Sequence, residues 1–253
     1  MGLRASNSTF ALPTEGTRLV SLCLAILQVV LWSALLWWNM THDVAYIFSP
    51  LQVWLQSFLF VGLFIVAHDC MHGLVGPSSG RWNQWLGSLC AFLFAGFEFH
   101  KLKAKHDEHH DYLATHRDPD YTSGENENFF VWIFSFVTRY FGWKEFLKLH
   151  LHVGFFYLLS GSFVKVLVFF ALPSWIASLQ LFYFGTYRPH RGFQGCQGGE
   201  LKARSSGYGF WLSLLTCYHF GYHREHHKYP YLAWWRLPNA FNRDNIQVEG
   251  DAI

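Results

Sequence analysis

Three long runs of this chain carry no charge: Leu19 to Trp38, Val44 to Ala67 and Val166 to Tyr187, with 20, 24 and 22 residues. Each is long enough, as a helix rising ~1.5 Å per residue, to cross a hydrocarbon core ~30 Å thick. A fourth apolar run, Leu147 to Val164, carries Lys148, His150 and His152 near its start, where long side chains can reach an interface. Trp82 to Phe97 and Gly207 to Tyr222 are shorter and read as re-entrant or interfacial segments. Phe129 to Leu149 mixes aromatics with Arg139, Lys144, Glu145 and Lys148, the pattern of an interfacial amphipathic helix. The first run exceeds the h-region of a signal peptide and no small-residue cleavage site follows it, so it is read as retained.

The pattern predicts an all-α integral membrane protein. About four transmembrane helices and several interfacial helices make up one domain over residues 18–242. A flexible tail is expected over 1–17 and a polar one over 243–253. Basic residues sharpen this picture. Arg18, Arg81, Lys101, Lys103, Lys105, Arg188, Arg191, Lys228 and Arg236 flank one side if four spans leave both termini inside. The opposite connections carry only Lys165. Positive charge favours the cytoplasmic side, so the termini and any shared site at that end are expected there.

Composition agrees. The chain is 51% hydrophobic and 14% charged, against ~25% charged in ordinary soluble chains. Its net charge of +2 gives no ground for nucleic-acid binding. Cys23, Cys70, Cys90, Cys196 and Cys217 are scattered and form no C-x-x-C. A disulfide framework, a zinc ribbon and an iron–sulfur site are therefore poorly supported.

The chain carries 15 histidines, and eight fall in three clusters. His68 and His72 stand four apart in HDCMH. His106, His109 and His110 stand in HDEHH. His223, His226 and His227 repeat that spacing in HREHH. Residues three and four apart share a helix face, so each cluster offers its imidazoles in one direction. Imidazole is the commonest side-chain metal ligand near neutral pH. Eight such groups exceed the needs of one four-coordinate zinc and suit two metals with positions left open. HDEHH is not the H-E-x-x-H of zinc proteases, because its glutamate stands third.

His190 follows the last charge-free run and is a ninth candidate ligand. His219, four before His223, is a candidate second-layer partner or tenth ligand. Asp69, Asp118 and Asp120 are candidates to accept the outer N–H of liganding imidazoles, although Asp118-Pro119-Asp120 also reads as a plain turn. Asp107, Glu108 and Glu225 read equally well as solvated flankers. His42, His116, His150 and His152 read as isolated polar side chains, and His100 as an interfacial one.

The three boxes together resemble those of the integral-membrane di-iron oxygenases and desaturases. Within that group HDCMHG (68–73), RDPDY (117–121), SLQLFYFGTYRPHR (178–191) and CYHFGYHREHHKYPYLAWWRLP (217–238) resemble the bacterial and cyanobacterial β-carotene ketolases. The likeness runs from about residue 18 to 240.

It implies two non-haem iron ions, O₂ as co-substrate and oxidation of C4 of a β-ionone ring. Two hydroxylations and a dehydration would take β-carotene to echinenone and canthaxanthin, in a bacterial inner or thylakoid-type membrane. The substrate would arrive from the lipid, and Phe64, Phe94, Phe97, Tyr183 and Phe184 are candidates to line its pocket; as ordinary core or lipid-facing aromatics they would look the same. No G-x-G-x-x-G follows a strand, so electrons must come from outside, and a ferredoxin-type donor is expected. Lys101, Lys103, Lys105, Lys228 and Arg236 are candidates to dock it, or simply topology signals. The rival readings are a carotenoid ring hydroxylase, a fatty-acid desaturase and a membrane metal carrier. A carrier would need ionisable groups at mid-membrane depth, where the three charge-free runs have none.

Overall fold

The computed structural model of the chain describes residues 10–78, 81–122, 127–193 and 201–250, the side chains of 245–250 excepted. It is helical throughout, with no strand among the described residues. Helix α1 spans Glu15–Thr41 and starts where the Thr14 hydroxyl accepts the Thr17 amide at 3.2 Å. Helix thus begins within the stretch expected as a tail, of which residues 1–9 lie outside the described residues. A 3₁₀ turn, Tyr46–Phe48, leads into α2, Ser49–Met71. Pro50 sits in its first turn, where a missing N–H costs nothing.

Helix α2 is the core of the bundle. It packs against α1, α3 (Arg81–Ala95) and α7 (Phe163–His190), and Phe60, Leu63, Ile65 and Ala67 are fully buried. Outward-facing Leu27, Val30, Trp37, Leu158 and Trp175 present apolar surface away from that core, the arrangement a bilayer requires. Helices α1 and α7, with α2 and its leading 3₁₀ turn, are the three long and apolar enough to cross a membrane among the described residues.

The expected fourth run, Leu147 to Val164, forms a helix displaced by about one turn toward the N-terminus. Gly161, at φ 64°, breaks the chain inside it. Helix α6 ends at Ser160, having begun at Trp143, and Phe163 already belongs to α7. At this break Lys165 pairs with Asp43 at 2.9 Å and reaches the His42 carbonyl at 3.0 Å, tying α7 to the α1–α2 connection. That end lies opposite the histidines.

Helix α3 turns at Gly96, φ 70°, and α4 (Phe99–Asp111) returns beside it. A Cβ on Gly87 would lie 2.3 Å from Phe99, so the close approach needs glycine. Helix α5, Phe129–Tyr140, precedes α6.

Two wide π turns, Leu167–Ala171 and Phe182–Tyr187, interrupt α7. Each lies just before a proline, Pro173 or Pro189. Proline has no N–H for the carbonyl one turn back and crowds it; widening the turn relieves both. The second π turn leads directly to His190.

Helices α8 (Phe210–Cys217), α9 (His223–Lys228) and α10 (Leu237–Gly250) complete the fold. Helix α10 continues to Gly250, into the stretch expected as a polar tail over 243–253, whose last three residues lie outside the described ones. Asp244 is buried and accepts Lys228 at 2.8 Å and the Tyr229 hydroxyl at 3.2 Å.

Candidate metal centre

The three histidine clusters sit on three elements that meet at one end of the bundle. His68 and His72 end α2, His106, His109 and His110 end α4, and His223, His226 and His227 lie on α9. His190 closes α7. They form two groups of four. His68, His72, His106 and His226 have ligand nitrogens all within 4.8 Å of one another, and so do His109, His190, His223 and His227. His110 stands between them. Its Nε2 is 3.0 Å from His226 Nε2, and its ring centroid is 4.4 Å from that of His227.

The nitrogens face each other in a way that hydrogen bonding alone does not satisfy. His109 Nδ1 lies 2.8 Å from Asp118 Oδ1, so it carries a proton and, in the neutral ring, leaves the Nε2 lone pair free. His190 Nδ1 faces the Lys202 carbonyl at 3.0 Å, with the same consequence. Those two lone pairs point at His227 Nε2, 3.2 Å away, and at His223 Nε2, 2.9 Å away. His223 and His227 are themselves 3.0 Å apart through Nε2. In the other group His72 and His106 meet Nε2 to Nε2 at 2.8 Å, and His68 Nε2 is buried with no hydrogen-bond partner. Converging lone pairs and an orphaned buried nitrogen fit a cation in each group. The donor set is imidazole alone; buried Cys70, Cys90 and Cys217 belong to neither group.

Burial keeps these imidazoles neutral. It pushes His106, His223, His226 and His227 well below the usual histidine range, neighbouring histidines adding to the effect. Burial pushes His72 down to about 4 and His110 to about 2. His109 is the exception. Burial lowers it, yet the Asp120 and Asp118 carboxylates outweigh that and raise it.

The three aspartates differ. Asp118 alone accepts an imidazole N–H within hydrogen-bond range. Asp120 Oδ2 stands 3.9 Å from His109, and its other oxygen takes the Tyr140 hydroxyl. Asp69 Oδ1 stands 3.7 Å from His68 Nδ1, while Oδ2 accepts the Trp234 amide at 3.1 Å and pins the WWR turn to α2.

His219 lies outside both groups. Its i−4 spacing to His223 describes one face only on a continuous helix, and α8 ends two residues before it. Tyr218 and His219, at φ 48° and 61°, form a left-handed turn between α8 and α9. The His219 ring stacks on Tyr222 at 5.8 Å and Trp234 at 6.1 Å.

Among the aromatic candidates, Phe64 and Phe97 flank Phe94 at 5.5 and 6.1 Å. Tyr183 and Phe184 pair on α7 at 5.0 Å. The aromatic ring against the histidines is one that sequence reasoning passed over. Phe220 lies 4.8 Å from His68 and 5.1 Å from His223.

Glu225 is buried rather than solvated and accepts the Ser205 hydroxyl, whereas Asp107 is exposed and pairs with Lys103 at 2.6 Å. His152 is likewise buried, its Nδ1 facing the Lys148 carbonyl at 2.8 Å.

The family model described as fatty acid desaturase matches residues 44–153 and 143–249, all three boxes included. The chain belongs to the fatty acid desaturase family. Its β-carotene ketolase relatives place it on that branch. It is 46% identical over 185 residues to the β-carotene ketolase of Paracoccus sp. strain PC1, covering 73% of this chain and 75% of that one. It is 41% identical over 240 residues to the β-carotene ketolase of Paracoccus sp. strain N81106, covering 92% and 97%. It is 38% identical over 187 residues to the zeaxanthin 4-ketolase of Chlamydomonas reinhardtii, covering 73% of this chain and 42% of that protein. No solved structure matches. The paired histidine groups fit the non-haem metal use of the desaturase family.

Proposed function

We propose that this chain is a β-carotene ketolase whose two histidine groups hold two non-haem iron ions. The observation that carries the reading is the convergence of nine histidines on two abutting four-imidazole groups, in a chain whose relatives over most of its length are named ketolases. His68, His72, His106 and His226 would hold one ion and His109, His190, His223 and His227 the other, with His110 between. Bound there, iron supplies the activation of O₂.

The chain supplies position and dryness. Phe220 walls the histidines on one side. Asp118 and the Lys202 carbonyl fix the tautomers of His109 and His190. The apolar exterior of α1, α2 and α7 suits a polyene arriving from the bilayer. Presenting one ring methylene repeatedly is where such a scaffold contributes most. Each hydroxylation of C4 would consume one O₂, two electrons and two protons and release one water; the geminal diol left by the second loses water to leave the ketone.

Phe64, Phe94 and Phe97, together with Tyr183 and Phe184, remain the proposed lining for the ring and polyene. The site and the basic flanks lie at one end of the bundle, which the positive-inside rule assigns to the cytoplasm. The electrons would come from an external ferredoxin-type donor. Docking at Lys101 and Lys103 competes with their own pairs to Glu98, at 2.7 Å, and Asp107.

The test is expression in a bacterium that accumulates β-carotene, with pigments separated and weighed by mass spectrometry. A 4-keto product supports the reading. A product hydroxylated without a ketone moves the chain to ring hydroxylation. Unchanged β-carotene beside expressed, metal-loaded and reduced protein overturns it.

A further inference from the structure

We propose that Arg139 and Tyr140, at the end of α5, are positioning residues for the metal ligand His109. The inference rests on the metal centre proposed above. His109 is held from outside by Asp118, and Asp118 is itself fully engaged. Its Oδ1 takes the Asp120 amide and its Oδ2 the Ala114 amide, each at 2.8 Å. The carboxylate therefore moves only if the turn over residues 117–121 moves.

Helix α5 holds that turn. Arg139 Nη1 donates to the Pro119 and Tyr121 carbonyls, each at 2.8 Å, straddling Asp120. The Tyr140 hydroxyl donates to Asp120 Oδ1. Trp132 Nε1 donates to the Asp120 carbonyl at 2.8 Å. Every polar handle of Asp120 but one carboxylate oxygen is taken.

The end of α5 is fastened in turn to the ligand helix. Lys105 Nζ donates to the Arg139 carbonyl and lies 4.6 Å over the Tyr140 ring. Lys105 directly precedes His106, one turn before His109. The contacts close a loop: α4, the 117–121 turn, the end of α5, and α4 again. A displacement of Arg139 or Tyr140 reaches Asp118 through one turn and the His109 imidazole through one hydrogen bond. The loop touches one member of the second histidine group and, beyond the chain connection at Lys105–His106, none of the first. That asymmetry makes the idea testable.

The experiment uses full-length protein in detergent micelles, loaded anaerobically with Fe(II) and challenged with excess coloured ferrous chelator. Wild-type release is compared with Tyr140→Phe, which keeps the ring and removes the hydroxyl. Arg139→Lys keeps the charge but lacks the planar fork. Phe134→Leu, on the exposed face of α5, is the control. Losing an outer partner of a metal ligand typically costs 10–100-fold in metal affinity. These residues act one step further out, so the expectation is the lower end. One of the two irons should leave about tenfold faster in both variants, the other at the wild-type rate. Phe134→Leu should release both as wild type does.

Wild-type release from Tyr140→Phe and Arg139→Lys would overturn the proposal. So would equal acceleration of both irons with a lowered melting temperature, which marks a merely structural role. Asp120→Asn carries the same expectation if either variant fails to accumulate. A wild type that takes up no iron would instead overturn the metal centre itself.

Discussion

Phe220 occupies the space that any side chain at Gly185 would need: a Cβ there would stand 2.5 Å from Phe220 Cε1. Gly185 lies in the second π turn of α7, and Phe220 leads the chain into α9. This close approach lets the last histidine box reach His190. Gly185→Ala should therefore push Phe220 toward His68 and His223. Overpacking of this kind costs about 1–3 kcal/mol. The melting temperature in detergent should fall and ketone formation should fall further, with Phe220→Leu restoring part of both in the double variant. An unchanged single variant would show that the ring is free to move away.

The placement of His219 separates ligands from bystanders. His219→Asn tolerates the left-handed turn and should leave iron content and ketone formation near wild type. His68→Ala, His110→Ala and His226→Ala should each abolish ketone formation, and His68→Ala and His226→Ala should lower iron per chain. Iron loss in His219→Asn would make it a tenth ligand; substantial ketone from any of the three alanine variants would remove that residue from the ligand set.

Acid should empty the site before it affects the rest of the fold. Unfolded histidine takes up a proton near pH ~6.5, whereas burial holds His72 at about 4 in the folded apo chain. Between those values the unfolded chain binds more protons, so stability present above pH ~6.5 is lost as pH falls. Metal competes with the same protons. Iron retained after equilibration should fall as pH drops through about 4, where His72 itself takes up the competing proton, with helicity lost at lower pH. Iron retained undiminished well below that pH would contradict imidazole ligation.

The proposed donor docking is tested by charge reversal. Lys101→Glu with Lys103→Glu should slow turnover driven by a ferredoxin and leave turnover with a chemical reductant intact. The effect should shrink as salt rises, because exposed charges are screened. Equal loss with both reductants would assign these lysines to topology alone.

Much of this was legible in the chain, because membrane helices and histidine boxes are local patterns. The three charge-free runs became α1, α2 and α7, with α1 and α7 a few residues longer at each end and α2 shifted toward His72. The departures have a common physical cause. The i−4 spacing of His219 to His223 spans a stretch that is not a helix, so it does not by itself place the two on one face. The fourth run, Leu147 to Val164, reads on past Gly161, whose left-handed backbone ends α6 at Ser160. Glu225 was read as a solvated flanker because its partner, Ser205, comes from a loop twenty residues earlier. Phe220 looked like one aromatic among many. Its contact with His68 joins positions far apart in sequence, and no local pattern announces it. The prolines after each π turn did carry a local signal, Leu172-Pro173 and Arg188-Pro189, that a spacing argument alone does not use.

The most direct test of the account is the metal itself. Protein purified from membranes after growth with iron should be analysed for all first-row metals and by Mössbauer spectroscopy. The account predicts two irons per chain, one for each four-histidine group. One metal per chain, or zinc in both positions of a preparation that forms ketone, would contradict it.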